Sequence, residues 1–268
     1  QNAQQEYYLT DIIAIASKEK IFIHSEEPHH IEEVWGINDP IQLAKLERFY
    51  QYQSAEKWMR EGVLLRDPHR FDVRGDLTMG QDVIIDVNVI IEGTVKIGNQ
   101  CTIGPNTLLR NVILGDHVTI HPNSVIDGAE IAAHCIIGPF ARVRPGTRLG
   151  EHVHLGNFVE TKNSIIATAT KINHLTYIGD SEIGAHVNIG AGTITCNYDG
   201  VNKHKTLIGD NAFIGSNTAL VAPITIGRGA TIGAGSTLTR DAPPEQLTLC
   251  RAEQRSVVWQ RKTKERET

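Results

Sequence analysis

Four side chains in the middle of this 268-residue chain could do chemistry together: Arg144, Glu160, Lys162 and His174. Arg144 and Lys162 are eighteen residues apart. In a chain that repeats with that period the two cations lie one above the other, and with no obvious acidic partner at their position they form a phosphate site. The competing reading is a solvated basic edge. Glu160 and Tyr177 stack in the same way, across a repeat unit that is one residue short. His174 is one of 12 histidines and nothing marks it by itself as catalytic; its register excludes the core, so the competing reading is an idle surface imidazole. An imidazole, with an ordinary pKa near ~6.5, suits a general base at neutral pH.

The element that must hold these groups is a hexapeptide repeat running from about Ile85 to about Leu238, with units such as IEGTVK, IGNQCT, IGPNTL, IGAGTI and IGSNTA. Each unit opens on an aliphatic residue and usually carries a small residue at its fifth position. A six-residue period requires a short strand and a turn per unit, and three units close one coil of a parallel β-helix. At roughly 4.8 Å per coil, ~150 residues make about eight coils. The units LRNVI, IDGAE, TKNSI and IGDSE are one residue short, which tightens a turn. The longer segment TCNYDGVNKHK replaces one unit between Thr195 and Lys205, and an insertion on a rigid scaffold is where function is expected.

In this register His174, Ala191, Ser216 and Ala234 share one edge, each a coil beyond the last. Small residues beneath a histidine leave a shallow groove of roughly 14 Å over three steps. That shape suits a thin ligand such as the pantetheine arm of coenzyme A, with the imidazole at its reactive end. Tight turns also favour small residues by themselves, so the column alone does not decide.

The chain before the repeat has another character. Residues 1–38 combine DIIAIA, a candidate strand IFIHS and the stretch EEVWGIN. In residues 39–80, Leu43, Leu46 and Tyr50, then Ala55, Trp58 and Met59, recur at helical spacing. This predicts an amphipathic helix with Asp39 as N-cap, Pro40 in the first turn and Gly62 as the stop. A polar bridge from Arg66 leads into a β-helix over residues 81–243, and residues 244–268 form a tail whose closing RKTKERET is expected to fray. A net charge of -5 argues against a general nucleic-acid binder. Cys101, Cys135, Cys196 and Cys250 are too scattered for a disulfide framework or a CxxC metal site, and three of them read as small buried residues. No apolar run has membrane-spanning length, so a cytoplasmic protein without membrane insertion is the expectation.

The stretches GPFARVRPG, GNFVE with Lys162 close behind, HLTYIGDSEIG and NIGAGTITCNYDG closely resemble the acetyltransferase half of the bifunctional bacterial GlmU family, which pairs that activity with a uridyltransferase. The resemblance runs from NAQQEYYLTDII to the tail around Arg251. It implies a mainly β fold, a left-handed parallel β-helix preceded by a long helical arm and a short α/β remnant of the uridyltransferase domain. It further implies a homotrimer with active sites between subunits. The implied reaction moves an acetyl group from acetyl-CoA to the amine of glucosamine 1-phosphate, a step toward UDP-N-acetylglucosamine for cell-wall peptidoglycan and lipopolysaccharide. By this resemblance His174 is the general base and Glu160 the carboxylate that orients it. Arg144, Lys162, Tyr177, Asn188 and Lys203 hold the sugar phosphate. Ala191, Asn197, Tyr198, Ser216, Ala234 and Arg251 hold acetyl-CoA, the tail thus completing the site.

The uridyltransferase half of that family opens with a loop of the type LAAGxGTRM and supplies a magnesium-binding aspartate, and neither is in this chain. Asn38, in WGIND, matches a family metal-binding asparagine, but one ligand cannot hold Mg2+, and no uridyltransferase activity is expected. Two readings compete with the acetyltransferase. One is a non-catalytic trimeric scaffold or nucleotide-sugar-binding module. The other is a γ-type carbonic anhydrase, for which His117 and His121 would need a third histidine; His152 or His154 lies roughly two coils, about 10 Å, away.

Overall fold

An aliphatic residue at every sixth position can be buried only if the backbone returns to the same azimuth on each coil, and parallel pairing enforces that return. One column runs Leu65, Ile85, Ile103, Ile120, Ile137, Leu155, Ile172, Ile189, Ile214 and Ile232, each the register partner of the next. All ten side chains are buried. Two further columns on the other faces of the prism complete the core. The computed structural model describes residues 8–259, and these divide into two compact units, Gln1–Tyr50 and Gln51–Thr268. The second unit is a parallel β-solenoid of about 10 turns.

The fifth-position residues are small for two reasons. Their side chains point into the narrow corner of the prism, and where they carry a hydroxyl it closes the turn. Thr107, Thr193, Thr218 and Ser236 each donate to the carbonyl three residues earlier, at 2.8, 2.7, 2.6 and 2.6 Å. A turn carbonyl that would otherwise be buried without a partner is thereby satisfied. Cys101 and Cys135 occupy the same kind of position, fully buried. Burial pushes both thiols up, Cys135 to about 11, so neither is a ready nucleophile. Cys250, by contrast, is exposed.

The solenoid is longer than the repeat pattern indicates. Leu64–Leu65 pairs with Ile84–Ile85, and the nine-residue strand Phe71–Met79 pairs along its whole length with Val89–Ile97. The expected polar bridge before residue 81 is therefore solenoid already, hidden because FDVRGDLTM lacks the aliphatic-small signature. At the other end Leu247–Thr248 pairs with Thr231–Ile232, so the start of the expected tail adds another rung. These additions raise about eight coils to about 10. RKTKERET lies outside the described residues.

Two helices precede the solenoid, α1 (Asp11–Lys18) and α2 (Pro40–Arg60). Asp39 caps α2, its Oδ1 accepting from the Gln42 amide at 2.8 Å, and Gly62 lies beyond the last turn at φ +97. Ala55 and Trp58 are buried as the spacing predicts, whereas Leu43 and Tyr50 are exposed. Gln51 takes an unpredicted core place: its amide donates to Val73 O at 2.7 Å and accepts from Val73 N at 2.9 Å, standing in for a missing strand neighbour. The expected strand IFIHS does not form; Ile21, Phe22 and Ile23 are exposed and unpaired in any sheet. Among the described residues no helix is long and apolar enough to cross a membrane.

Because the core columns are only one side chain wide, a cavity in one rung has no second layer to fill it. Ile137→Ala, at a fully buried position, is expected to cost about 2–5 kcal/mol, read as a fall in the urea midpoint at unchanged m-value.

Candidate active site

The strands His154–Lys162 and Lys171–Gly179 carry most of the candidate site and pair residue for residue. Each bends at a corner where a bulky residue is held at positive φ: Phe158 at 56° and Leu175 at 48°. Side chains of this kind rarely adopt that conformation, and here the parallel neighbours on both sides impose it. The strand before the corner presents Asn157 and His174, the strand after it Glu160, Lys162 and Tyr177. The corner is tight, since a Cβ on Gly156 would stand 1.9 Å from the backbone oxygen of Asn173.

His174 lies opposite Asn157, and its Nδ1 is 2.7 Å from Asn157 Oδ1. Asn157 was not among the residues expected to matter. Its place seventeen residues before His174, one short coil away, was the available signal. Glu160, expected to orient His174, does not touch it. Glu160 lies opposite Tyr177 and binds Arg144, Nη1 to Oε1 at 2.8 Å. Strand geometry is the cause: Glu160 is three residues past Asn157, roughly 10 Å along the chain and beyond the corner. Arg144 is consequently paired, contrary to the expectation of a cation without an acidic partner.

Small residues continue the His174 column as the register requires. Lys171, Asn188, Phe213 and Thr231 are successive partners, which places His174, Ala191, Ser216 and Ala234 in line three residues further on. Arg251 reaches this edge, its Nη1 donating to Ala234 O at 3.0 Å. The side-chain oxygen of Asn173, beside His174, is buried without a protein partner. His154 stands close enough to feel His174; burial lowers its pKa first, and the charges of His121, Lys171 and His174 add to that.

A second cluster forms one face further on. Lys162 lies beside Lys203, and this contact and its charge hold the Lys162 amine below its ordinary value, with burial and Arg144 adding and Asp180 opposing. Lys203 is carried by the inserted segment, a small hairpin closed by an antiparallel bridge between Tyr198 and Lys203. Asp199 builds that turn. Its carboxylate accepts from the Asn202 and Val201 amides at 2.6 and 2.8 Å and lies 2.7 Å from His204 Nε2. The Asn202 bond foremost, then His204 and Val201, bring its pKa to about 2. At the hairpin base Asp180 accepts from Asn163 at 2.6 Å and from Asn197 at 2.5 Å. Burial raises the Asp180 pKa, but those two bonds and the charges of Lys162 and Lys203 outweigh it and the net shift is downward. Lys162 and Lys203 thus face Asp180, which is already engaged by two amides, while Arg144 is paired with Glu160.

One chain does not bring all the candidate residues together. Asn188 lies opposite Lys171 and Phe213, on a different face from Tyr177, which lies opposite Glu160 and Ile194. Asn197 and Tyr198 belong to the corner with Asp180, one prism face away from the His174 column. Asn38 is exposed, and the pocket beside it, lined by Trp35, Gln42, Lys45 and Leu46 among others, holds a lysine and no carboxylate. The acid next to it in sequence, Asp39, is committed to capping α2. These residues do not fit a Mg2+ site. His117 stacks on His134 and His134 on His152, at 4.6 and 4.7 Å. Among the described residues no three His, Cys, Asp or Glu side chains converge as a metal site.

Residues 73–159 match the model of the GMPPB C-terminal domain, and residues 205–240 that of the bacterial transferase hexapeptide (six repeats). The chain is 55% identical over 266 residues to the "Bifunctional protein GlmU" of Azoarcus sp. (strain BH72), covering 99% of this chain and 59% of that protein. To the protein of the same name from Methylococcus capsulatus it is 58% identical over 267 residues, covering 99% and 58%. The chain therefore spans less than two thirds of the length of the relatives it matches. Solved structures align more remotely, among them a UDP-N-acetylglucosamine acyltransferase from Campylobacter jejuni, at 18% identity and TM-score 0.35 over 69% of each chain. With more than half its residues shared with such relatives along nearly its whole length, the chain belongs to the GlmU family.

Proposed function

We propose that this chain transfers an acetyl group from acetyl-CoA to the amine of glucosamine 1-phosphate, giving N-acetylglucosamine 1-phosphate for UDP-N-acetylglucosamine synthesis. The observation that carries the reading is His174 at the head of the Ala191, Ser216 and Ala234 column, with Arg251 against its far end. A pantetheine arm laid along that column brings its thioester to the imidazole, and Arg251 is placed for the phosphates of the nucleotide end. His174 Nε2 takes a proton from the amine as its nitrogen attacks the thioester carbonyl. The tetrahedral intermediate then loses the thiolate as the C–S bond breaks, and the imidazolium returns the proton to sulfur. A base so placed contributes ~10²–10⁴ in rate.

Arg144, Lys162 and Lys203 supply the phosphate end of the acceptor. The depressed Lys162 amine marks a place where positive charge is crowded and an anion relieves it. Amine and phosphate sit on adjacent ring carbons of the acceptor, whereas the base and the cations here lie on opposite sides of a corner. This supports a site completed by a second copy, in which Asn188, Tyr177, Asn197 and Tyr198 meet across subunits of a homotrimer. Phe140 and Phe158, stacked at 5.2 Å and half exposed, continue with Leu175 as an apolar stripe along the same corner, the surface such an assembly needs. The working compartment on this reading is the cytoplasm.

Thiol release from acetyl-CoA with glucosamine 1-phosphate as acceptor is expected, and His174→Ala is expected to lower it by at least about a hundredfold. Acceptor-independent release only, from protein shown to be trimeric by light scattering, would leave the scaffold reading in its place. Lys203→Ala should raise the Lys162 pKa, because a like charge is removed, and should raise KM for the acceptor roughly tenfold with a smaller change for acetyl-CoA. Lysine NMR titration and steady-state kinetics read the two effects separately.

A further inference from the structure

We propose that Asn157 is the positioning residue of the His174 base: it fixes the ring through Nδ1, so that Nε2 is the nitrogen turned to the acceptor amine. This rests on the acetyltransferase reading of the same site and assigns a role to a residue that the family resemblance did not mark.

The pairing is built into the fold. Asn157 and His174 are register partners on adjacent strands, so their Cα atoms are fixed by the sheet, and the side chains meet at 2.7 Å. Oδ1 of an amide only accepts, so Nδ1 must carry the hydrogen, which leaves the lone pair on Nε2. When Nε2 takes a proton, Nδ1 is still a donor to the same oxygen, and no rearrangement is needed during the reaction. The carboxylate that could have done this work is held elsewhere, Glu160 being bound to Arg144 across the corner.

An amide has a consequence that a carboxylate would not. It orients the ring without placing a negative charge beside it. His154, on the strand that carries Asn157, is an ionisable group whose charge interacts with His174, and the charges of His121 and Lys171 also act on His154. The next coil presents Ala191 at this edge, with no charge.

The experiment compares Asn157→Ala, Asn157→Asp and His174→Ala in full pH–rate profiles, with each protein checked for assembly. Asn157→Ala is expected to lower kcat on the order of tenfold, with both KM values within about twofold, the loss of one hydrogen bond that orients the ring. Asn157→Asp should recover most of that kcat at high pH, while the acidic limb of its profile moves upward by about one pH unit. A merely structural asparagine would not produce that displaced limb. If His174→Ala is inactive but Asn157→Ala keeps wild-type kcat and profile, the positioning role is overturned and the base assignment stands. If His174→Ala keeps its activity, the acetyltransferase reading of the site has failed, and the inference with it. Should the variants not assemble, nitrogen-15 NMR of the wild-type trimer decides: the Nδ1–H tautomer at His174 supports the proposal and the Nε2–H tautomer overturns it.

Discussion

Everything in this molecule depends on the parallel register between coils. A strand two residues long has almost no stability of its own, and most rungs here are of that length. They persist because each rung inside the stack is bonded to a rung above and a rung below, with an aliphatic side chain stacked on its counterparts. A displacement by one residue would turn the inward column out to solvent and the outward residues into the core. The register is therefore enforced at every coil, and groups far apart in sequence are held in line without any contact designed for them alone.

The corners show how firmly that constraint acts. Asn, Asp, His and Gly occupy many of the left-handed turn positions, as their tolerance for positive φ allows. Yet Phe140, Phe158 and Leu175 occupy them too, one above another, with their side chains exposed. Local preference is overridden there by pairing on both sides, and the strain is placed beside the candidate base. This is where stored conformational energy and function tend to coincide. The same corner separates His174 from Arg144 and Lys162, so the candidate site of one chain is divided between two faces.

Charge is arranged with comparable economy around the inserted hairpin. A loop carrying Lys203 toward Lys162 would be pushed away by like charge if its base were loose. Asp199 and Asp180 hold it, the first by closing the turn and the second by accepting from Asn163 and Asn197 while facing the two lysines. Each carboxylate is engaged through both of its oxygens, and in this way they anchor the loop. In the repeat pattern the insertion is visible only as extra length; its stiffness comes from these bonds.

Periodicity made the solenoid legible, because an aliphatic residue at each sixth position and a small one four places later can be buried in few other ways. It also made the His174, Ala191, Ser216 and Ala234 column legible, since counting residues in a fixed-period coil amounts to measuring distance. The same count aligned Arg144 with Lys162. It was blind where the signature lapsed, at Phe71–Met79 and Leu247–Thr248, whose rungs are recruited by pairing with neighbours rather than by their own pattern. It was blind also to which polar groups touch. Glu160 and Asn157 are three residues apart in one motif, and the family resemblance assigned the carboxylate to His174. Only the bend at Phe158 and the cross-strand pairing decided that the amide meets the imidazole and the carboxylate meets Arg144. Spacing along a chain determines which rung a residue occupies, whereas the direction of a side chain across a corner is set by the backbone on both sides of it.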